Sequence, residues 1–164
     1  MTPSPKNRRW LWYFLTLAVL STVATTTLVV YNLRQQLDPR HVRDAIGLWQ
    51  QSGPTAYVLV YTAKKNEQTG EMNDHYVVKV KGGEAYEVLV NGLPLEARQL
   101  PNYGMPQLLQ YINRFMEIDA EPGRPKTYTR GVFDGRTGAL AWYVRRVMGS
   151  RQRVEITVES MKAE

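Results

Sequence analysis

Residues that could support metal or acid–base chemistry are few in this chain of 164 residues. It has two histidines, His41 and His75, and no cysteine. Zinc is held mainly by cysteine and histidine, and no His-Glu-x-x-His or comparable spacing is present. Any such site would need carboxylates to complete its ligands. We therefore expect no metal site and no cofactor.

Nucleophilic catalysis has no recognisable signature either. The serines that follow the first 31 residues are Ser52, Ser150 and Ser160, and none lies in a Gly-x-Ser-x-Gly turn. Asp74 and His75 are adjacent, but neighbours on a strand point to opposite faces and do not form the acid–base pair of a triad. These patterns predict a non-catalytic protein. An envelope hydrolase without a familiar motif is the alternative, because paired-carboxylate chemistry requires only a spatial separation.

Arginines are the residues whose spacing best suits binding. Residues 122–153 hold 8 basic and 1 acidic residue, a local balance of +7, whereas residues 64–121 hold 6 basic and 9 acidic residues. Guanidinium groups bind carboxylates and phosphates through paired hydrogen bonds. The sequence therefore predicts one candidate binding face, composed of Arg130, Arg145, Arg151 and Arg153.

Strand parity governs which of these arginines act together. Arg151 and Arg153 are two positions apart and share a face, whereas Arg145 and Arg146 are consecutive and point to opposite sides. Only one of the second pair can join the face directly. The alternative is that the arginines merely solubilise the outward faces of strands.

The overall charge limits the class of partner. The net charge is +6, and removing Lys6, Arg8 and Arg9 leaves 18 basic against 15 acidic residues, or +3. That balance is too even for a nucleic-acid binder as a whole. The expected partners are anionic lipid headgroups, an anionic envelope polymer or an acidic protein surface.

The elements that must position this face begin with an apolar segment. No charged side chain occurs over residues 10–31, and these 22 residues, as a helix rising ~1.5 Å per residue, cover the ~30 Å hydrocarbon core of a bilayer. Trp10, Trp12 and Tyr31 lie near the ends, where aromatic rings favour the headgroup layer. We predict an integral, uncleaved, single-pass anchor. A signal peptide cleaved after Ala24 is the alternative.

The rest of the chain is divided by this anchor. A basic leader over residues 1–9 favours a cytoplasmic amino terminus. Residues 32–38 are a predicted linker, residues 39–160 an extracytoplasmic domain and residues 161–164 a tail. The domain would then face the periplasm or the cell exterior.

Two helices and six strands are expected in the domain. Asp38-Pro39 predicts a helix start and Gly53-Pro54 its end. A second helix opens at Pro106 and carries an apolar stripe at helical spacing. Alternating segments predict three strands after each helix. The fold class is therefore α+β, an αβββ-αβββ domain whose antiparallel sheet packs on two helices.

Polar stretches and turn residues set the expected strand ends. The polar stretch 64–74 is predicted to be a long loop between the first two strands, and the last strand is expected over residues 151–159. Four tyrosines are expected to be core rings with hydroxyls in water: Tyr57, Tyr61, Tyr76 and Tyr86.

The glycine pair in the second hairpin predicts its register. A three-residue turn at residues 81–83 pairs Val78 with Tyr86 and Tyr76 with Val88. All four side chains then lie on the core face, which favours this register over a two-residue turn.

Several of these segments resemble a known family. Residues 48–61, with Gly53-Pro54-x-x-Tyr57 leading into alternating strand residues, resemble the opening of a bacterial domain-of-unknown-function family found in small envelope proteins and lipoproteins. The hairpin 78–92 and the segment Tyr-Val-Arg-Arg-Val-Met-Gly-Ser at 143–150 are similar to the same family. The turn 134–138 lacks the Gly-x-Pro typical of that position. The resemblance implies an envelope location and this fold, and it brings no established activity.

The combined expectation is a non-catalytic, single-pass protein of the bacterial cell envelope. Its extracytoplasmic domain would bind or scaffold envelope components through the arginine-rich face. An inhibitory or regulatory module that docks onto an envelope enzyme is a further alternative.

Overall fold

The structure is a computed structural model and describes residues 8–34, 36–67 and 70–163. It divides into two compact units, Met1–Gln36 and Leu37–Glu164. Most of the predicted basic leader, residues 1–7, lies outside the described residues, as do residues 68–69 of the predicted first hairpin loop.

The first unit is one long helix, α1 (Arg8–Arg34). Its part from Trp10 to Tyr31 has a mean hydropathy of 1.8, and it is long and apolar enough to cross a membrane. Five threonine hydroxyls along it donate to the carbonyl one turn earlier, at 2.8 to 2.9 Å. Hydroxyls paired in this way remain compatible with lipid. The predicted span is thus confirmed in length and composition.

The second unit is a seven-stranded antiparallel sheet with two helices, which confirms the α+β class. In chain order the elements are α2 (Pro39–Ser52), β1 (Tyr57–Glu67), β2 (Gly70–Lys81), β3 (Glu84–Val90), β4 (Leu93–Pro94), a 3₁₀ helix (Ala97–Asn102), α3 (Met105–Asp119), β5 (Thr127–Phe133), β6 (Leu140–Val147) and β7 (Arg153–Ala163). The strand order across the sheet is β4-β3-β2-β1-β7-β6-β5. The first strand of one half and the last strand of the other therefore meet at the centre.

Local chemistry explains where the two helices begin. The carboxylate of Asp38 accepts a hydrogen bond from the Arg40 N–H at 2.7 Å, and Pro39 occupies the first helical position of α2. At the start of α3, the Met105 N–H donates to the buried hydroxyl of Tyr57 at 3.0 Å. Tyr57 thereby satisfies an amide that the helix itself leaves unpaired.

The core lies between the helices and one face of the sheet, which we call the covered face. Both helices contribute apolar stripes to it, and β1 contributes Tyr57, Leu59 and Tyr61. Alternation along the strands sends the intervening side chains to the other face. We call this second face the open face, because no helix within residues 37–67 and 70–163 packs on it.

The predicted first hairpin loop is wrong. β1 continues to Glu67 and β2 begins at Gly70, so most of the polar stretch 64–74 is paired strand. Lys64, Lys65 and Asn66 also pair with β7 on their other side. Because two neighbours satisfy the backbone of β1 here, the strand persists without an apolar pattern.

The predicted register of the second hairpin is also wrong. The turn holds only Gly82 and Gly83, whose φ values of 63° and 84° suit a tight two-residue connection. Val78 pairs with Val88, and a register shift follows Lys79. That bulge leaves Tyr86 half exposed while it returns Val88 to the core.

The domain extends beyond both predicted limits. Leu37 is buried, and its N–H donates to the Thr129 carbonyl at 2.8 Å, so the core begins within the predicted linker. β7 begins at Arg153 and continues to Ala163, so the predicted tail, residues 161–164, is largely strand paired with β1.

Candidate functional site

The structure separates the four arginines of the predicted binding face. Arg130 on β5 pairs with Val144, and Arg153 on β7 pairs with Arg146 of β6. These registers place Arg130, Arg146 and Arg153 on the open face. Arg145 lies on the covered face and does not join them, so the grouping predicted from the sequence needs this correction. Arg151 is exposed in the turn that precedes β7.

Arg145 is held in an ion pair within the domain. Its Nε donates to Asp119 Oδ2 at 2.7 Å and its Nη2 to Oδ1 at 2.5 Å. The two side chains are only 13% and 10% exposed, and the guanidinium lies 4.7 Å from the ring centroid of Phe115. Hydrogen bonding to Asp119 raises the pKa of Arg145 despite partial burial. The ion pair links the end of α3 to β6, and the Arg145 guanidinium is therefore not available to a partner.

The three remaining strand arginines define what we call the arginine face: Arg130, Arg146 and Arg153, with Tyr128 beside them. Arg146 lies directly opposite Arg153 on one side and opposite Tyr128 on the other. Like charges placed directly opposite across two strands destabilise a sheet. An anion bound between them would relieve that repulsion.

Internal carboxylates neutralise this face only in part. Arg153 Nη2 lies 2.7 Å from Glu155 Oε2, and the same carboxylate accepts from Trp142 Nε1 at 3.3 Å. In the described part of the chain, neither Arg130 nor Arg146 is within ion-pair distance of an acidic side chain. Two guanidinium groups therefore remain for an external anion.

Neither histidine belongs to the Arg145–Asp119 ion pair or to the arginine face. His41 is exposed on α2, and His75 Nε2 lies 3.5 Å from Glu159 Oε2 on the open face. The hydroxyl of Thr62 donates to the same glutamate. Among the residues described, no group of three or more histidine or carboxylate side chains is arranged to hold a metal ion.

Sequence reasoning missed a cavity of about 490 Å³ on the covered face. It lies between α3 and the strands β1, β2 and β7. We call it the tyrosine pocket, because four tyrosines contribute to its lining: Tyr61, Tyr76, Tyr103 and Tyr111. Its lining comes from segments far apart in the chain, so no local motif marks it. The stripe of aromatic residues on β1 and β2 was the available signal.

The tyrosines of this pocket form a packed aromatic wall. The rings of Tyr61 and Tyr76 are stacked with centroids 4.6 Å apart and an interplanar angle of 8°. The ring of Tyr103 lies 5.7 Å from that of Tyr76. Burial raises the pKa of Tyr61 well above its usual value, and burial together with Asp74 raises the pKa of Tyr76 to about 12. Tyr61 and Tyr76 are therefore neutral at physiological pH.

Polar groups line the pocket next to the aromatic wall. Asp74 accepts from Asn91 Nδ2 at 2.9 Å and from the Tyr76 hydroxyl at 3.4 Å. Gln107 Oε1 is buried and has no hydrogen-bond partner among the described residues. Arg114 and Gln110 also contribute to the lining. The pocket thus combines flat apolar surfaces with a few convergent polar groups, as small-molecule sites do.

No family model matches the chain, and no curated protein matches it. The resemblance to a bacterial envelope family therefore stays a prediction.

Proposed function

We propose that this is a non-catalytic, membrane-anchored binding protein of the bacterial cell envelope, whose domain recognises an acidic partner through the arginine face. The observation that supports this most directly is the grouping of Arg130, Arg146 and Arg153 on the open face of the sheet. A structural role does not require a like-charge pair at Arg146 and Arg153, since such a pair costs stability.

The kind of partner follows from the residues around the arginines. Tyr128 and Trp142 lie on the same face, and tyrosine, tryptophan and arginine are the residue types enriched at protein–protein interfaces. The three arginines are spread over three strands, which suits an extended protein surface better than a small anion. We therefore propose the acidic surface of another envelope protein as the partner. Anionic lipid headgroups and envelope polymers are the competing partners.

Two features support a binding role over hydrolysis. The described lining of the tyrosine pocket contains one carboxylate, that of Asp74, whereas a paired-carboxylate glycosidase needs two. His75 lies on the open face with Glu159, on the opposite side of the sheet from Asp74.

The proposed location rests on α1 and on the charges around it. The apolar helix from Trp10 to Tyr31 would be an uncleaved anchor, with the basic leader in the cytoplasm and the domain in the periplasm or outside the cell.

The partner is tested by crosslinking in the native host with the full chain. We expect Arg146→Glu plus Arg153→Glu to reduce the yield of crosslinked protein neighbours at least tenfold, because the sign of the face is reversed. The matched control, Arg43→Glu plus Arg124→Glu, makes the same change of net charge at exposed positions elsewhere. Circular dichroism checks that both variants are folded.

Unchanged neighbours with the Arg146 and Arg153 variant would overturn the proposal. Purified protein in neutral micelles is also mixed with vesicles containing anionic lipid. If the variant loses vesicle binding but keeps its protein neighbours, the face recognises lipid headgroups and the proposed protein partner is wrong.

A separate experiment tests on which side of the membrane the domain lies. The chain contains no cysteine, so an introduced cysteine is its only thiol. A single Arg151→Cys substitution introduces one exposed thiol in the turn before β7. We expect a membrane-impermeant maleimide to label it in intact spheroplasts. Labelling only after lysis would place the domain in the cytoplasm.

A further inference from the structure

We infer that the tyrosine pocket binds a small ligand built on one six-membered ring, with a carboxylate at one end and a hydroxyl at the other. The cavity volume of about 490 Å³ falls within the range of small-molecule sites, roughly 300–1,000 Å³. The pocket lies on the covered face, on the opposite side of the sheet from the arginine face. The inference therefore stands independently of the proposed protein partner.

The aromatic wall selects the shape of the ligand. Tyr61 and Tyr76 are stacked on each other, and Tyr103 and Tyr111 complete an aromatic lining. Flat aromatic surfaces favour a planar ring or the apolar face of a sugar ring. Ala63, Val154 and Ile156 line the pocket from neighbouring strands. These small or branched side chains leave room against the sheet for one ring.

Charged groups select a carboxylate. Arg114 contributes to the lining and, in the described part of the chain, makes no ion pair with an acidic side chain. Lys65 lies on the same strand face as Tyr61 and Ala63. The opposing charge is Asp74, whose oxygens already accept from Asn91 and from Tyr76. Asp74 is thus already engaged, whereas Arg114 is left for a ligand anion, and a guanidinium pairs well with a carboxylate.

An unpartnered acceptor selects the hydroxyl. Gln107 Oε1 is buried next to Gly104, where an added Cβ would lie 2.9 Å from it. A buried acceptor with no donor is unfavourable, and a ligand O–H would satisfy it. Gln107 and Arg114 are seven positions apart, which is about 10 Å along α3 at ~1.5 Å per residue. One ring with a polar group at each end, plus a hydrogen bond at each end, fits that span.

Two sources could supply this chemistry, a hydroxylated aromatic acid and a uronic acid. The probes are therefore 4-hydroxybenzoate, glucuronate, benzoate and the neutral 4-hydroxybenzamide. Each is titrated against the full chain in neutral detergent micelles, and saturable binding is measured by ligand-observed NMR. We expect 4-hydroxybenzoate or glucuronate to bind at least tenfold more tightly than 4-hydroxybenzamide. The tighter of the two acids identifies the source.

Two variants test the assigned contacts. Arg114→Gln should weaken binding of the preferred acid at least tenfold and remove its advantage over the amide. Gln107→Leu should weaken the hydroxylated acid severalfold and leave benzoate unchanged, because benzoate has no hydroxyl to donate. The matched control, Arg43→Gln, removes an exposed charge from α2 and should bind as the native chain does. Arg114 is itself exposed, so its substitution tests binding without threatening the fold.

Two results would overturn the inference. One is the absence of saturable binding of any of the three acids to the native chain. The other is binding that neither Arg114→Gln nor Gln107→Leu alters, which would place the acid at another site.

Discussion

On the covered face of the sheet, Arg145 donates two hydrogen bonds to Asp119, whereas on the open face the next residue, Arg146, lies opposite Arg153. The two residues are identical and adjacent. Their roles differ because strand alternation points one toward α3, which brings a carboxylate, and the other toward a face on which no helix of residues 37–67 and 70–163 packs. A basic stretch of sequence therefore combines residues that hold the fold with residues that are free to bind.

The largest expected effect concerns Gly138, which lies close to the backbone of α2. Gly138 has φ 73°, and a Cβ there would lie 2.1 Å from the Ala45 carbonyl oxygen of α2. Gly138→Ala should lower the free energy of unfolding by about 4 kcal/mol, because backbone strain adds to a clash with backbone. The measurement is urea unfolding of the full chain in micelles, followed by near-ultraviolet circular dichroism.

Gly135→Ala is the matched control for this prediction. It lies in the same turn, and nothing stands within 4 Å of its Cβ position. We expect a change within about 0.5 kcal/mol. Equal unfolding midpoints for the two variants would show that α2 does not rest against Gly138.

A second prediction compares the two adjacent arginines directly. Arg145→Ala should destabilise the domain by about 3 kcal/mol, because it leaves the Asp119 carboxylate largely buried without its partner. Arg146→Ala should change stability by less than about 0.5 kcal/mol, and in the stabilising direction, since it removes repulsion from Arg153. The same unfolding assay measures both. Comparable losses of stability in the two variants would contradict the conclusion that Arg145 holds the fold and Arg146 does not.

The smallest expected effect concerns alkaline pH and the tyrosines of the covered face. The folded-state pKa of Tyr76, about 12, lies above its ordinary value of 10.0, and burial raises that of Tyr61 further. The contribution of Tyr76 to stability is therefore complete below about pH 10 and is lost as the pH rises through about 12, and that of Tyr61 is lost at still higher pH. We expect these phenols to ionise only as the domain unfolds.

Tyrosinate absorbance and circular dichroism, recorded together against pH, check this expectation. Tyr76→Phe should move the alkaline unfolding midpoint upward, because it removes one group whose ionisation the fold opposes. Ionisation of every tyrosine below pH 11 with an unchanged dichroism spectrum would contradict it.

Most of the secondary structure could be predicted because its signals are local. The Asp38 cap and the apolar stripe of α2 lie within one helix, and alternation marks most strands. The stretch 64–74 could not be assigned in this way. Its strand character comes from pairing with β2 and β7, and no apolar pattern accompanies that pairing.

The candidate sites depend still more on distant partners. Alternation predicted that Arg145 and Arg146 point to opposite faces of the sheet. Which of the two is held within the fold depends on Asp119, 26 residues away from Arg145 in the sequence. The tyrosine pocket required α3, the 3₁₀ helix and three strands to come together. Neither arrangement has a signature within a short window of the chain.

The position of β7 has a consequence for biosynthesis. Its 11 residues lie between β1 and β6, although they follow every other strand of this sheet in the sequence. Until they emerge, β1 and β6 each present a bare edge on which other nascent chains can polymerise. A fragment that ends near residue 150 would thus present two unpaired strand edges and be prone to aggregate.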